Sequence, residues 1–365
     1  MNSHITSTIE SGGKNGVAAI KLDMSKAYDR VEWMFLEKMM TKLGFSEQWV
    51  ERVMKCVTTV RYRIKVNEEY SDSIVPHRGL QQGDPLSPYL FILCVEGLSS
   101  MLQRAEENGK IEGISVCRGA PRINHLFFAD DSLILMRACS GNAQELRRIL
   151  QVYENASGQM VNRDKSAILF SPNTSSIDKA EVRQAPNIVQ EAKNEKYLGL
   201  LVSIGKSRKK AFEYIKKKVW VRIQGWQEKL LSKAGKEILI KAVAQAIPTY
   251  AMSCFELTKG LCDELNSMIG RWWWSQNDNE NNIHWLAWDK LTISKSNGGL
   301  GFWDLHLFNM AMLARQAWRL LVCPDSLCAQ VLKAKYFPNG SILQCEARDG
   351  ISYTWRSILT RYKTG

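Results

Sequence analysis

Two adjacent aspartates, Asp130 and Asp131, interrupt a stretch rich in Phe, Leu and Ile over residues 123–136. Apolar runs of this length read as strands, and the short polar step between them as a tight turn. A hairpin built this way lifts both carboxylates to its tip and buries its arms. Side-by-side carboxylates repel each other unless a cation lies between them or one takes a proton. Oxygen donors of this kind suit Mg²⁺. Taken alone, an Asp-Asp pair is more simply a solvated turn. A third aspartate shifts that balance: Asp23 closes another apolar run, residues 17–22. If the two runs are neighbouring strands of one sheet, Asp23 and Asp130 meet at its edge.

Between them lies a Gly- and Pro-rich loop, residues 78–88, feeding a long apolar run over residues 90–102. Glycine lets a backbone come close to a ligand. The loop is therefore either a ligand-facing segment or an ordinary strand–loop–helix connection. Downstream, residues 156–166 read Ala-Ser-Gly-Gln-Met-Val-Asn-Arg-Asp-Lys-Ser, and residues 197–199 read Tyr-Leu-Gly. In order, Asp23, the 78–88 loop, Phe128-Ala129-Asp130-Asp131, the 156–166 segment and Tyr197-Leu198-Gly199 resemble motifs A to E of reverse transcriptases. The resemblance is closest to plant LINE-type (non-LTR) retrotransposon enzymes. Each piece alone is weak; five in the right order are highly specific. The resemblance covers nearly the whole chain from about residue 16.

The fold this resemblance implies is α+β: a right-hand palm with an antiparallel sheet and packed helices, then a mainly α-helical thumb or connector. The expected parts are a loose arm (1–15), a palm with partial fingers (16–205), a basic thumb-like region (206–270) and a helical, Trp-rich region (271–365). The implied chemistry is RNA-directed DNA polymerisation, with an RNA template, a DNA primer and a deoxynucleoside triphosphate as partners. By the same resemblance Asp23, Asp130 and Asp131 hold two Mg²⁺ ions, with the Met24 carbonyl as a further ligand. Tyr28 matches the steric gate against a ribose 2′-hydroxyl. Gly79, Gln82, Gly83 and Pro85 lie under the template base and incoming nucleotide. Lys165 matches a lysine that could stabilise or protonate the leaving pyrophosphate; a surface lysine in a turn is its plain alternative. Asp29 and Arg30 are read as a structural ion pair or cap. The finger motifs and endonuclease that precede motif A in the family are missing here, so the chain reads as truncated. Two rival readings stay open: an inactive remnant that still binds RNA, and a maturase-like RNA-binding protein.

Composition sets the remaining bounds. A chain of 365 residues, 45% hydrophobic and 24% charged, is ordinary for a globular protein of two or three subdomains. No stretch reaches the ~18 apolar residues of a membrane span, and no apolar signal opens the chain, so no membrane partner is expected. The location expected is intracellular, and nuclear if the protein copies at chromosomal DNA. Nine scattered cysteines without a Cys-x-x-Cys pair read mostly as buried reduced thiols, with no zinc assigned. The net charge of +12 is uneven: residues 206–241 hold twelve Lys or Arg against three Glu. That density fits a phosphate backbone; a solvated, salt-bridged helix face is the alternative, weakened because three acids cannot pair twelve bases. Helical spacing recurs over 31–43, 45–56, 141–157, 208–227, 232–246, 259–273 and 305–322, and residues 61–66 alternate basic with apolar as a half-exposed strand does. Ten of the twelve tryptophans lie from Trp220 on. They read first as core or interface anchors, and second as platforms for bases.

Overall fold

Strand β1, Val17–Leu22, buries Ala18, Ile20 and Leu22 completely and turns Lys21 toward the other face, the period of two that a one-sided sheet demands. In this computed structural model the described residues are 16–191, 196–197, 200–201, 208–227, 231–275, 283–345 and 351–362. The arm over 1–15, Leu198 and Gly199 of the fifth motif, and residues 206–207 and 228–230 of the basic strip lie outside them.

The chain divides into two units, Thr8–Val116 with Pro121–Lys193, and a second containing Asn194–Gly365. In the first, β1 is followed by α1 (Trp33–Lys42), α2 (Glu47–Thr58), a small hairpin of β2 (Lys65–Val66) and β3 (Glu69–Tyr70), and the long α3 (Ser87–Glu107). Then come β4 (Ile114–Ser115), β5 (Arg122–Ile123), β6 (His125–Phe128), β7 (Asp131–Arg137), α4 (Ser140–Ser157), β8 (Ala167–Phe170) and α5 (Ser176–Gln184). The main sheet is antiparallel in the order β6-β7-β1-β8. Its buried face packs on α3 and α4 through Leu98, Leu102, Leu146, Ile149 and Tyr153. The first half of α3 instead joins α1 and α2 around Leu36, Met40, Val50, Leu90, Phe91 and Cys94. One helix thus serves two cores and fixes the sheet relative to the segment after Asp23.

Two expectations need correction here. The strand over 61–66 shrinks to β2 and a bridge from Tyr62 to Ile74, with both faces exposed from Arg63 to Tyr70, because no layer covers either side. No two cysteines are joined in a disulfide, but only Cys94, Cys262 and Cys345 are buried; Cys56 and Cys323 are exposed.

The second unit includes the short pair β9 (Lys196–Tyr197) and β10 (Leu200–Leu201) and is otherwise helical: α6 (Arg208–Gln227), α7 (Lys233–Leu239) running into a π-turn at Ile240–Ala244, α8 (Thr249–Met252), α9 (Lys259–Trp274), α10 (Trp288–Thr292), α11 (Leu305–Val322), α12 (Leu327–Tyr336) and α13 (Tyr353–Tyr362). Phe212, Ile215, Val219 and Ile223 of α6 meet α9 in one core. Trp272 and Trp273 are buried there, as core anchors. Several lysines of the basic strip are consumed internally, which the count of acids alone did not foresee. Lys233 donates to the Trp273 carbonyl at 2.7 Å, and Lys236 to the Trp272 carbonyl at 3.1 Å. Both thereby satisfy the open carbonyls at the C-terminal end of α9, where positive charge is favoured. Burial lowers both ammonium pKa values. Lys216 pairs with Glu264 at 2.6 Å, and Lys241 bonds Glu237 and the Leu300 carbonyl. Lys217, Lys218 and Arg222 remain exposed on α6.

Helix α4 ends at Gly158 with φ +73°, a left-handed cap. A Cβ at that position would lie 2.6 Å from the Arg30 carbonyl oxygen. Gly158→Ala is expected to cost about 2 kcal/mol or more, from backbone strain plus that collision, read as a lowered denaturation midpoint at unchanged slope.

Candidate active site

Leu22 of β1 stands opposite Ser132 of β7. Continued by one residue, that register sets Asp23 level with Asp131, on the sheet face away from the main core. Opposed residues of antiparallel strands have Cα atoms roughly 4.5–5.5 Å apart. Asp130 lies in the two-residue turn closed by the Phe128–Asp131 pair. Ala129, the first turn residue, has φ +50°, the sign a type II′ turn requires and one that an L side chain resists. The hairpin tip is therefore strained where it carries the acids. Asp130 is exposed, and Asp23 and Asp131 are half-buried.

The stretch after Asp23 is held by residues 157–166. The Asp23 N–H donates to Ser166 Oγ at 3.1 Å, and the Asp23 carbonyl accepts from the Asn162 N–H at 2.8 Å. The Ser25 N–H donates to the Met160 carbonyl at 2.8 Å, which makes a bridge of Met24 with Val161. In such a bridge the neighbours make the bonds, so the Met24 carbonyl is turned away from that segment. Further on, Gln159 Nε2 donates to the Ala27 carbonyl at 3.0 Å, and the Glu32 N–H to the Ser157 carbonyl at 2.9 Å. Gln159 Oε1 in turn accepts from the buried Tyr153 hydroxyl. Arg30 donates to Met160 Sδ at 2.9 Å. No ion pair joins it to Asp29, so that expectation is corrected: the nearer partner sits on the clamping segment.

Tyr28 stacks on Phe91 at 4.6 Å between ring centroids, 18° from parallel. Its phenol is raised above the ordinary value by burial first and by the Asp130 carboxylate second. Asp130 and Tyr28 are thus within electrostatic reach, although the sequence separates them by a hundred residues. The 78–88 loop is tied back to this stretch. The Gly79 N–H donates to the Val31 carbonyl at 2.8 Å, the Leu80 N–H to the Tyr28 carbonyl at 2.9 Å, and Trp33 Nε1 to the Gly79 carbonyl at 2.8 Å. Gly79 has φ +90°, and a Cβ there would stand 2.7 Å from the Asp29 carbonyl oxygen, so only glycine fits. Gln82, Gly83 and Pro85 are exposed beyond it, and Asp84 Oδ1 accepts from the Leu86 N–H at 2.7 Å in the turn just before α3. Lys165 is exposed, one residue before the buried Ser166.

Hard oxygen donors on two adjacent strands and their turn fit a divalent cation in kind. Among the described residues no three His, Cys, Asp or Glu side chains are already gathered tightly enough to hold one. Like-charged carboxylates keep apart until a cation joins them, and the backbone placement, not the rotamers, is what the fold supplies. Sequence reasoning assigned no role to Asn162, Ser166, Gln159 or Phe91. Their signal was available in the polar residues of the 156–166 segment, but hydrogen bonding across more than a hundred residues leaves no local periodicity.

Beneath the hairpin a buried chain of polar groups sets its charge. Asn124 Nδ2 donates to the Leu102 carbonyl at 3.1 Å, which leaves its Oδ1 to accept from His125 Nδ1; His125 Nε2 then accepts from the Ser99 hydroxyl at 2.9 Å. The neutral imidazole, which burial favours, donates from Nδ1 and accepts at Nε2. Burial pushes the His125 pKa down to about 4.

A family profile described as reverse transcriptase (RNA-dependent DNA polymerase) matches residues 3–202. An uncharacterized mitochondrial protein of Arabidopsis thaliana is 47% identical over 115 residues, 31% of this chain and 75% of that protein. The transposon TX1 149 kDa protein of Xenopus laevis is 23% identical over 82% of this chain and 22% of its own length. A Pol polyprotein from the type-1 retrotransposable element R2 of Nasonia vitripennis is 30% identical over 42% of this chain and 14% of its own. This chain therefore spans under a quarter of either transposon protein.

Two outcomes follow from the hydrogen bonding. Gln159→Leu, which strands the Ala27 carbonyl and leaves the Tyr153 hydroxyl only the Cys94 carbonyl at 3.3 Å, should lower stability by about 1–3 kcal/mol in chemical denaturation. For His125, the unfolded imidazole takes a proton near pH 6.5 while the folded one resists until about 4. Its contribution is present above 6.5 and is lost as pH falls from 6.5 toward 4. The melting temperature should drop over that window, and His125→Gln should flatten the drop.

Proposed function

The chain belongs to the reverse transcriptase (RNA-dependent DNA polymerase) family, and on that basis we propose that it is the polymerase of a non-LTR retrotransposon. It would extend a DNA primer on an RNA template with deoxynucleoside triphosphates. The observation that supports the reading is the sheet register: Leu22 pairs with Ser132, one residue short of Asp23 and Asp131, and Asp130 lies in the turn between β6 and β7.

In this reading Asp23, Asp130 and Asp131, with the Met24 carbonyl, would hold two Mg²⁺ ions. Bound there, such ions activate a primer 3′-hydroxyl and neutralise the leaving pyrophosphate. The chain's own contribution is position and shape. Residues 157–166 fix the backbone of Asp23 from both its N–H and its carbonyl. The Tyr28 ring, held flat against Phe91, excludes a 2′-hydroxyl from the sugar pocket. The exposed Gln82, Gly83 and Pro85 support the nascent base pair, on a loop that Gly79 locks to the Asp29 backbone. Lys165 stands free in solvent to meet developing negative charge on the leaving group. In the second unit Lys217, Lys218 and Arg222 offer cations to a phosphate backbone. No helix among the described residues is long and apolar enough to cross a membrane. Copying at chromosomal DNA would place the protein in the nucleus.

The test is primer extension on an RNA template with Mg²⁺ and deoxynucleotides, run beside a titration with labelled RNA. The unmutated chain should extend the primer, and Asp130→Asn should lower the rate by about 100-fold or more while leaving RNA binding intact. Extension that survives Asp130→Asn would sink the metal assignment. Binding without any extension by the unmutated chain would favour the RNA-binding remnant instead.

A further inference from the structure

Helix α11 carries two apolar faces on opposite sides. Leu305, Leu313, Ala317 and Leu320 are buried in the second unit. Leu307, Ala311, Ala314, Trp318 and Val322 follow one another at intervals of four, three, four and four. On a helix of 3.6 residues per turn they form a stripe about 80° wide. Leu307 is 58% exposed, Trp318 66% and Val322 59%. A stripe of large exposed apolar side chains on a helix that already has a full core face marks a contact surface.

A two-fold axis through the point midway between Ala311 and Ala314 would set Leu307 against the partner's Trp318 and Ala311 against the partner's Ala314. Each contact is then made twice, as an isologous interface requires. The charges agree with it. Arg315 and Arg319 flank the C-terminal half and make no ion pair among the described residues, while Asp304 stands at the N-terminal end, where its Oδ1 caps His306 and Leu307. A parallel pairing would stack Trp318 on Trp318 and face Arg319 with Arg319. An antiparallel one brings Arg319 to the partner's acidic end and sets the two alanines at the crossing, where helices can approach closely.

We infer that this face of α11 pairs antiparallel with the same face of a second copy of the chain. The inference is independent of the polymerase reading. A specific contact needs roughly 1,000 Å² of total buried area, and a stripe of five residues with its flanking stems makes a small one. Association is accordingly expected near micromolar concentration.

Sedimentation velocity of the full chain from about 1 to 100 µM, at the midpoint of the micromolar range, tests it. The unmutated chain should pass from monomer to dimer. Trp318→Glu and Leu307→Glu, exchanged by the axis, should each weaken association at least 10-fold while circular dichroism stays unchanged. Ile177→Glu, at an exposed position of the other unit, should leave it alone. The double variant Ala311→Cys with Ala314→Cys should oxidise to a covalent dimer whose new link maps between the two introduced thiols. A chain that stays monomeric throughout assigns the stripe to another occupant and overturns the inference. So does a dimer indifferent to both Glu variants, and so does Ala311→Cys alone linking to its own copy, which requires a parallel pair.

Discussion

The site depends on one contact above the others: the backbone of Asp23 is gripped from both sides by a segment about 140 residues later. Its N–H goes to the Ser166 hydroxyl and its carbonyl takes the Asn162 N–H. Such bonds contribute only about 1 kcal/mol each to stability. Their geometric effect is larger, because they leave the residue's carboxylate as its only free polar group. The same segment then follows the chain to Glu32, through Met160, Gln159 and Ser157, so the stretch from Asp23 to Glu32 has little freedom to move as a loop. Tyr28 and the carbonyl of Met24 inherit that order.

The opposing half of the site is built on strain and on a withheld proton. Ala129 holds a positive φ at the tip of the hairpin, and Asp130 and Asp131 follow it. Below them, the Ser99–His125–Asn124 chain holds the imidazole of β6, the strand that leads into the turn, and burial keeps it neutral. An imidazolium there could have balanced the carboxylates. With His125 neutral, the negative potential at the tip is left for a ligand to satisfy. Burial first, and the Asp130 carboxylate after it, raise the Tyr28 phenol.

The second unit shows how a charge count misleads. Twelve bases against three acids promised a free cationic surface, yet Lys233 and Lys236 bond the carbonyls that close α9, and Lys241 binds a carbonyl of the 298–301 turn. Carbonyls are acceptors that no tally of side-chain charge includes. Among the described side chains of the strip, Lys217, Lys218 and Arg222 are left exposed on α6. The tryptophans behave in the complementary way. Trp272 and Trp273 enter the core, whereas Trp318 stays outside on a helix with two apolar faces.

Much of this protein could be read from the chain itself. The apolar runs over residues 17–22 and 123–136, the helical spacing of 305–322 and the ordered motifs around Asp23, Gly79 and Asp130 need only local pattern and residue type. Those features are short-ranged, and steric and hydrophobic preferences act within a few residues. What the chain did not reveal are the long-range partners. That Asp29 has no pairing with Arg30, that Ser166 and Asn162 hold Asp23, that Tyr28 feels Asp130, and that lysines serve as helix caps were all decided by tertiary structure. Each depends on which register and which packing bring distant backbone groups together. A hydrogen bond between residues 23 and 166 leaves no repeat or spacing by which either end could announce the other.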